Sequence, residues 1–148
     1  MNRILGIDYG DARVGIAITD PINITAQGLE TIQRNNSDKI VLKRLDEIFE
    51  LYDVKTIVVG MPYNLDGSKS NRVEPTEKFI HKLKCKYPNK KIDIMDERLT
   101  TVAAHKTMNF LEIDKKKKRD IVDTISAVYI LEMYINKNEE SLKNSCKN

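Results

Sequence analysis

The segment KTIVVG at residues 55–60 is a short, nearly continuous apolar run bounded by Gly60. Such a run is typical of a β-strand buried on both faces, because a strand with one solvated face would alternate apolar and polar residues. An amphipathic helical pattern with Ser37 or Asn36 as its cap precedes the run, and a second helical pattern covers residues 73–86. The pattern therefore predicts a sheet that is covered by helices.

The first part of the chain has short β-rich runs and no helical period. Residues 3–8 and 13–19 are separated by YGDA, a turn sequence that is typical of a β-hairpin. Residues 24–33 can supply a third strand, with Gly28 at a bulge. Strands first, followed by alternating helices and strands, predict an α/β domain with a mixed β-sheet flanked by α-helices.

Turn-forming residues and further periodic segments fill the rest of the chain. Residues 61–73 predict an exposed loop, and KIDIM at residues 91–95 predicts another strand. Helices are expected over residues 100–110 and 119–136, joined by a solvated lysine run at 115–118. The last helix is expected to bury the following residues: Val122, Ile125, Val128, Tyr129 and Met133.

Composition sets broad limits on the class of protein. The chain has 148 residues, of which 41% are hydrophobic and 32% charged, so we expect one globular domain over residues 1–137 and a disordered polar tail over 138–148. No apolar run approaches the roughly 20 residues of a membrane span, and MNRILGIDYG does not have a signal-peptide pattern, so a cytoplasmic protein is expected. A net charge of +3 and two cysteines indicate neither a nucleic-acid partner nor a disulfide framework by themselves.

Three acidic residues lie where a carboxylate needs an explanation. Asp8 ends the first predicted strand in ILGIDYG, Glu97 follows the KIDIM strand, and Asp123 lies in the apolar helix IVDTISAVYIL. A buried carboxylate is costly unless it is paired or bound to a cation. Each acid also has an ordinary alternative: Asp8 could cap its turn, Glu97 could form a surface ion pair or a helix cap, and Asp123 could face solvent.

The three acids together favour a metal site. Strand ends gather at one edge of an open sheet, and a helix across that edge could bring Asp123 towards Asp8 and Glu97. Three clustered carboxylates would repel one another unless a divalent ion neutralised them. Mg²⁺ suits such a site because it keeps positions for water and phosphate oxygens. Two ions about 3.5–4 Å apart would promote in-line phosphodiester cleavage, which is the chemistry of a metal-dependent nuclease.

Four segments, in order and separated by short gaps, carry a family resemblance: GIDYGDARVGIAITD (6–20), GMPYNLDGSKSNRVEPTEKF (60–79), DERLTT (96–101) and VDTISAVYILEMY (122–134). They resemble the signature segments of the YqgF/RuvX family of the RNase H-like superfamily. Its members are described as Holliday junction resolvase-like proteins and as nucleases that mature the 5′ end of precursor 16S ribosomal RNA. The resemblance covers roughly residues 3–136 and implies an RNase H-like fold.

The resemblance also implies roles for the acids. Asp8, Glu97 and Asp123 match the catalytic acids of the family and would bind Mg²⁺ or Mn²⁺. Asp96 would orient the turn, and Asp20 matches a family position without a catalytic role. The small pair after the last acid is Ser-Ala in this chain, a mild departure that should preserve close packing.

Basic and hydroxyl side chains near these acids are candidate nucleic-acid contacts. They are Arg13, Lys69, Arg72, Arg98, Thr100 and Thr101. The loop that carries Lys69 and Arg72 resembles the family's mobile substrate-side loop. Ordinary alternatives stay open, because Arg13 could pair with Asp11, the two threonines could cap a helix, and the loop could simply be solvated.

The sequence therefore predicts a nuclease for structured nucleic acid, with precursor ribosomal RNA as the first candidate substrate and branched DNA as the second. Association with the ribosome is compatible with this role. A non-catalytic module that binds the same nucleic acids is an alternative. An ATPase of the actin and sugar-kinase superfamily, whose first strand also resembles IDYG, is disfavoured because those enzymes pair two such domains. Tyr129, Met133 and Tyr134 could serve the core or a dimer interface, so the oligomeric state stays open.

Overall fold

A computed structural model describes residues 2–64, 66–96 and 124–137 of the chain. The described strands are β1 (Arg3–Tyr9), β2 (Arg13–Thr19), β3 (Ala26–Gln33), β4 (Val54–Met61) and β5 (Lys91–Asp96). The described helices are α1 (Asp38–Leu51), α2 (Val73–Lys86) and α3, which covers residues 124–137. The predictions for residues 100–110, 115–118, 119–123 and 138–148 fall outside the described residues.

The five described strands form one mixed sheet in the order β3-β2-β1-β4-β5. The pairs β1–β2 and β2–β3 are antiparallel, whereas β4 is parallel to both β1 and β5. The strands β1, β4 and β5 therefore end on the same side of the sheet, at Tyr9, Met61 and Asp96. We call this side the carboxyl edge. The predicted mixed sheet flanked by helices is confirmed.

Helices cover both faces of the sheet because alternate residues of its central strands are buried on opposite sides. Ile57 and Val59 of β4 belong to the core beneath α1 and α2, whereas Val58 belongs to the core beneath α3. The prediction that β4 is buried on both faces is thus confirmed. None of the described helices is long and apolar enough to cross a membrane.

The beginnings of several elements follow the predicted turn and cap residues. Ser37 precedes α1 in an extended conformation, and its side chain accepts a hydrogen bond from the backbone N–H of Lys39. The bulge in β3 falls at Leu29, beside the predicted Gly28, because the pairing with β2 skips this residue. The predicted exposed loop begins later than expected, since Met61 and Pro62 are buried.

The buried face of α3 differs from the predicted one. Ile125, Val128, Tyr129 and Met133 are only half-buried, and Val122 lies outside the described residues. The buried positions of the described helix are Ser126, Ala127, Ile130, Leu131, Tyr134 and Ile135. Val128 nevertheless packs against the core beneath α3, so the prediction was wrong for Ile125, Tyr129 and Met133. The predicted set left out the small residues Ser126 and Ala127, which lie within the buried face.

Glycine on the sheet allows α3 to approach it closely. A Cβ atom built at Gly6 would lie 2.6 Å from Leu131 Cγ and 3.0 Å from the Ala127 carbonyl oxygen. A Cβ atom at Gly28 would collide with the Thr124 side chain. At these two positions without sheet side chains, α3 contacts β1 through the Ala127 backbone and the Leu131 side chain, and β3 through the Thr124 side chain.

Candidate active site

Asp8 lies near the end of β1 on the face that α3 covers. Gly6 contacts α3, and side chains two positions apart on a strand share a face, so Asp8 is directed to the same side. The residue is 7% exposed. A carboxylate that is nearly buried at the carboxyl edge matches the environment expected for a cation ligand.

Arg72 lies beside this carboxylate. One of its terminal nitrogens is 4.0 Å from Asp8 Oδ1, and the same nitrogen donates a hydrogen bond of 2.7 Å to the carbonyl oxygen of Tyr9. Arg72 precedes α2, and its side chain is 42% exposed. The guanidinium is thus held against the strand end and is still accessible from solvent.

A row of paired residues crosses the sheet at the level of Asp8. Asp8 is paired with Gly15, and Gly15 with Thr31 on β3. The hydroxyl of Thr31 shares a hydrogen bond of 2.8 Å with the hydroxyl of Thr124 in α3. The first described residue of α3 is therefore anchored to the same row as Asp8.

The end of β5 reaches the same edge. Asp93 faces α3, because the hydroxyl of Tyr134 donates a hydrogen bond of 3.0 Å to its carboxylate. Met95 packs in the core beneath α3, so Asp96 is directed to the opposite face, towards α2. Asp96 and Asp8 thus lie on different faces of the sheet. Tyr134 belongs to the core, where it is 4% exposed.

The other predicted site residues are distributed as follows. Arg13 begins β2 opposite Gln33 and is half-buried. Lys69 is 74% exposed, and its ammonium lies 3.8 Å from the Glu77 carboxylate. The remaining predicted residues, Glu97, Arg98, Thr100, Thr101 and Asp123, lie outside the described residues.

Within residues 2–64, 66–96 and 124–137, no group of three His, Cys, Asp or Glu side chains is arranged to hold a metal ion. Of the predicted acidic triad, that part of the chain contains Asp8 alone, so the triad stays a prediction.

A second polar cluster, which the sequence interpretation missed, lies on the opposite face at the same edge. The Asp38 carboxylate accepts hydrogen bonds from the Tyr9 hydroxyl at 2.5 Å, from Arg34 Nε at 2.8 Å and from Lys82 Nζ at 2.7 Å. These residues line a cleft of about 370 Å³ between α1 and α2. In the sequence, Asp38 is only an acid in the first turn of a helix. An acid in the first turn stabilises a helix through its dipole, so the sequence carries no local signal for the further contacts of Asp38.

The charge states of this cluster follow from its hydrogen bonds. Burial alone would raise the pKa of Asp38, but the hydrogen bonds from Lys82, Tyr9 and Arg34 outweigh burial and keep that pKa below its ordinary value. Burial raises the pKa of the Tyr9 hydroxyl, and the hydrogen bond to Asp38 raises it further. At neutral pH the cluster therefore contains an ionised Asp38 and a protonated Tyr9.

Two solved structures share the fold of this chain. Thermus thermophilus RuvC in complex with a Holliday junction substrate has a TM-score of 0.58 at 11% identity, covering 93% of this chain and 96% of that chain. The fowlpox virus Holliday junction resolvase has a TM-score of 0.54 at 18% identity, covering 95% of this chain and 99% of that chain. At these identities the likeness shows the fold alone, and it confirms the predicted RNase H-like architecture.

Sequence comparison identifies much nearer relatives. A Ruminiclostridium cellulolyticum protein named "Putative pre-16S rRNA nuclease" is 53% identical over 135 residues, which cover 91% of this chain and 94% of the relative. An Acetivibrio thermocellus protein of the same name is 50% identical over 133 residues, covering 90% of this chain and 94% of the relative. The family model described as "RuvX: Holliday junction resolvase" matches residues 2–137. The chain therefore belongs to the RuvX family, as its four segments predicted.

Proposed function

We propose that this protein is a nuclease that uses divalent metal ions to hydrolyse phosphodiester bonds at the 5′ end of precursor 16S ribosomal RNA. The observation that carries the proposal is the buried Asp8 carboxylate at the carboxyl edge, with Arg72 beside it. The names of the relatives support the choice of substrate. We assign the activity to a single domain of residues 1–137, and the range of the family match, residues 2–137, supports this assignment.

Described residues close in sequence to the other two proposed acids support their inclusion in the site. Asp93 and Met95 of β5 both face α3, on the side of the sheet that bears Asp8, and Glu97 follows Met95 by two positions in the sequence. Asp123 directly precedes Thr124, which is anchored to the row that contains Asp8. These relations support an acidic triad of Asp8, Glu97 and Asp123.

The donor set of this triad fits Mg²⁺ or Mn²⁺. Carboxylate oxygens are the ligands that hard divalent ions prefer, and such ions keep positions for water and phosphate. When bound, the ion would lower the pKa of a water nucleophile and neutralise charge on the leaving oxygen. The three carboxylates would hold the ion, and Asp8, which is 7% exposed, would supply one of these ligands from the end of a strand.

Arg72 is the proposed partner of a substrate phosphate. A guanidinium has five N–H donors, and the hydrogen bond to the Tyr9 carbonyl uses one of them. The exposed part of the group can therefore donate to phosphate oxygens that approach Asp8. Arg13, Lys69, Arg98, Thr100 and Thr101 are proposed as further contacts along the nucleic-acid backbone.

Arg72→Ala is expected to weaken RNA binding about tenfold and to lower the slope of log affinity against log salt by about one, because one phosphate contact is lost. Fluorescence anisotropy with a labelled precursor RNA fragment in EDTA measures both quantities. Lys55→Ala removes the same charge from an exposed side chain at the start of β4, away from the carboxyl edge, and should leave both quantities unchanged. Equal effects of the two substitutions would contradict a specific role for Arg72.

A cleavage assay tests the proposed function. The protein is incubated with a precursor 16S RNA fragment and with a four-way DNA junction, each in Mg²⁺, Mn²⁺ or EDTA. Metal-dependent removal of the RNA leader supports the proposal. Preferred cleavage of the junction would make branched DNA the proposed substrate. Branched DNA is the second candidate because the family model is described as a Holliday junction resolvase. Binding of either substrate with no cleavage in any metal would favour a non-catalytic module.

A further inference from the structure

The turn between β1 and β2 joins Asp8 to Arg13 and is held by hydrogen bonds. The N–H of Gly10 donates to the Arg13 carbonyl at 2.9 Å, which closes the turn. The backbone N–H of Arg34 donates to the Ala12 carbonyl at 2.9 Å, and its side-chain nitrogen NH1 donates to the Asp11 carbonyl at 2.9 Å. Arg34 thus contacts the turn with both its backbone and its guanidinium.

Asp38 is the common partner of the groups that hold this turn. Its carboxylate accepts from Arg34 Nε and from the Tyr9 hydroxyl, and its side chain is only 8% exposed. The Tyr9 ring stacks on Phe79 with 4.4 Å between the ring centroids, and it also lies beneath the Arg34 guanidinium. The residue directly after Asp8 is therefore fixed by its ring, its hydroxyl and its carbonyl.

A cluster around Asp46 joins α1 and α2 at the end away from Asp38, and it also contains an aspartate, a lysine and a tyrosine. The Asp46 carboxylate accepts hydrogen bonds from Lys86 Nζ at 2.8 Å and from the Tyr87 hydroxyl at 2.7 Å. Tyr87 ends α2 and lies near Lys90, which donates a hydrogen bond to the Val54 carbonyl where β4 begins. This cluster therefore lies at the opposite edge of the sheet from Asp8. It provides a comparison for Asp38 with the same types of side chain, at a more exposed position.

We propose that Asp38, acting through Tyr9 and Arg34, is a positioning residue that fixes Asp8 and Arg13 in the geometry needed for cleavage. This inference rests on the proposed function, since it concerns the same site. The ion pair between Asp38 and Lys82 is sufficient to join α1 to α2. Asp38 also contacts Arg34, which binds the turn, and Tyr9, which lies at the end of β1. A shift of about 1 Å in a reacting group can cost about 100-fold in rate, so loss of these contacts should slow the chemical step.

Two pairs of variants test the proposal. Tyr9→Phe and Asp38→Asn alter the cluster at the carboxyl edge, and Tyr87→Phe and Asp46→Asn make the same changes at the opposite edge. We expect kcat on the precursor RNA to fall about 10- to 100-fold in the first pair, with a smaller change in KM because Arg13 is one of several proposed RNA contacts. Both constants should stay within about twofold of the wild-type values in the second pair. All four variants should lower Tm, and Asp38→Asn should lower it most, because the Asp38 side chain is 8% exposed with three hydrogen-bond partners, whereas that of Asp46 is 47% exposed with two.

Hydrogen exchange at the Gly10 amide provides a measurement that does not depend on activity. Exchange at this amide should become about tenfold faster in the first pair and stay unchanged in the second, because opening of the turn exposes it. Tyr9→Phe keeps the aromatic ring that stacks on Phe79, so this variant is expected to fold even if Asp38→Asn does not.

The outcomes separate this proposal from the proposed function. Wild-type values of kcat in Tyr9→Phe and Asp38→Asn, or equal losses in both pairs, would overturn the positioning role and leave the nuclease assignment intact. If the wild-type protein cleaves neither substrate, the proposed function fails. The exchange rates at the Gly10 amide then test whether Asp38 orders the turn. Faster exchange in the first pair alone would then support the role of Asp38 in ordering the turn, and unchanged exchange would overturn it.

Discussion

Asp8→Asn is expected to lower the rate of metal-dependent cleavage by about 10³-fold or more. The substitution keeps the size of the side chain and removes the charge that would bind the cation. Loss of an outer-shell partner of a metal ligand already costs about 10- to 100-fold in affinity or activity, and loss of the ligand itself should cost more. Single-turnover cleavage of the precursor RNA in Mg²⁺ and in Mn²⁺ measures the effect.

A matched substitution distinguishes a site effect from a general effect of charge. Asp53→Asn makes the same change at an exposed side chain beside the start of β4, on the opposite edge of the sheet, and should cleave at the wild-type rate. Circular dichroism of both variants reports whether the fold is intact. Metal-dependent cleavage by folded Asp8→Asn at a near wild-type rate would rule out Asp8 as a metal ligand.

Gly6→Val is expected to lower the free energy of unfolding by about 3 kcal/mol, at the upper end of the range for an overpacked core. An added Cβ would lie 2.6 Å from Leu131 Cγ and 3.0 Å from the backbone oxygen of Ala127. The Leu131 side chain can rotate, but a backbone oxygen within a helix can move only with the helix. The substitution should therefore displace α3 from the sheet, and we expect cleavage to fall together with stability.

Urea unfolding followed by circular dichroism measures this effect, and a double-mutant cycle identifies its cause. Leu131→Ala alone should cost about 2–5 kcal/mol because it leaves a cavity. Combined with Gly6→Val, it should cost less than the sum of the two single changes, since the valine can occupy part of that cavity. Strict additivity of the two substitutions would contradict direct contact between Gly6 and Leu131.

Local sequence patterns predicted the parts of the fold that depend on neighbouring residues. The apolar run in β4, the cap at Ser37 and the acid near the end of β1 each have a signal within a few residues. For this reason the strands and helices within the described residues were predicted with nearly correct bounds. Four ordered segments were enough to identify the family. These features require no knowledge of which distant residues meet.

Contacts between distant segments could not be predicted in the same way. Arg72 was expected to bind nucleic acid, but its position beside Asp8 depends on how α2 packs against the end of β1. The role of Asp38 depends on Tyr9, Arg34 and Lys82, which three different segments contribute. The face that α3 buries depends on glycines in strands far away in the sequence, and the apolar pattern of the helix alone pointed to the wrong residues.

The two glycines beneath α3 also restrict how the site can vary among related sequences. A helix that rests on a single point could pivot or slide, but α3 rests on Gly6 in β1 and on Gly28 in β3. Together these contacts define both the direction of the helix axis and its position along the sheet. An insertion or deletion between Thr124 and Leu131 would shift the residues that contact one glycine relative to those that contact the other. We therefore expect length variation in this family to occur in the connections outside the helix, with the spacing between the last acid and the glycine contacts kept constant.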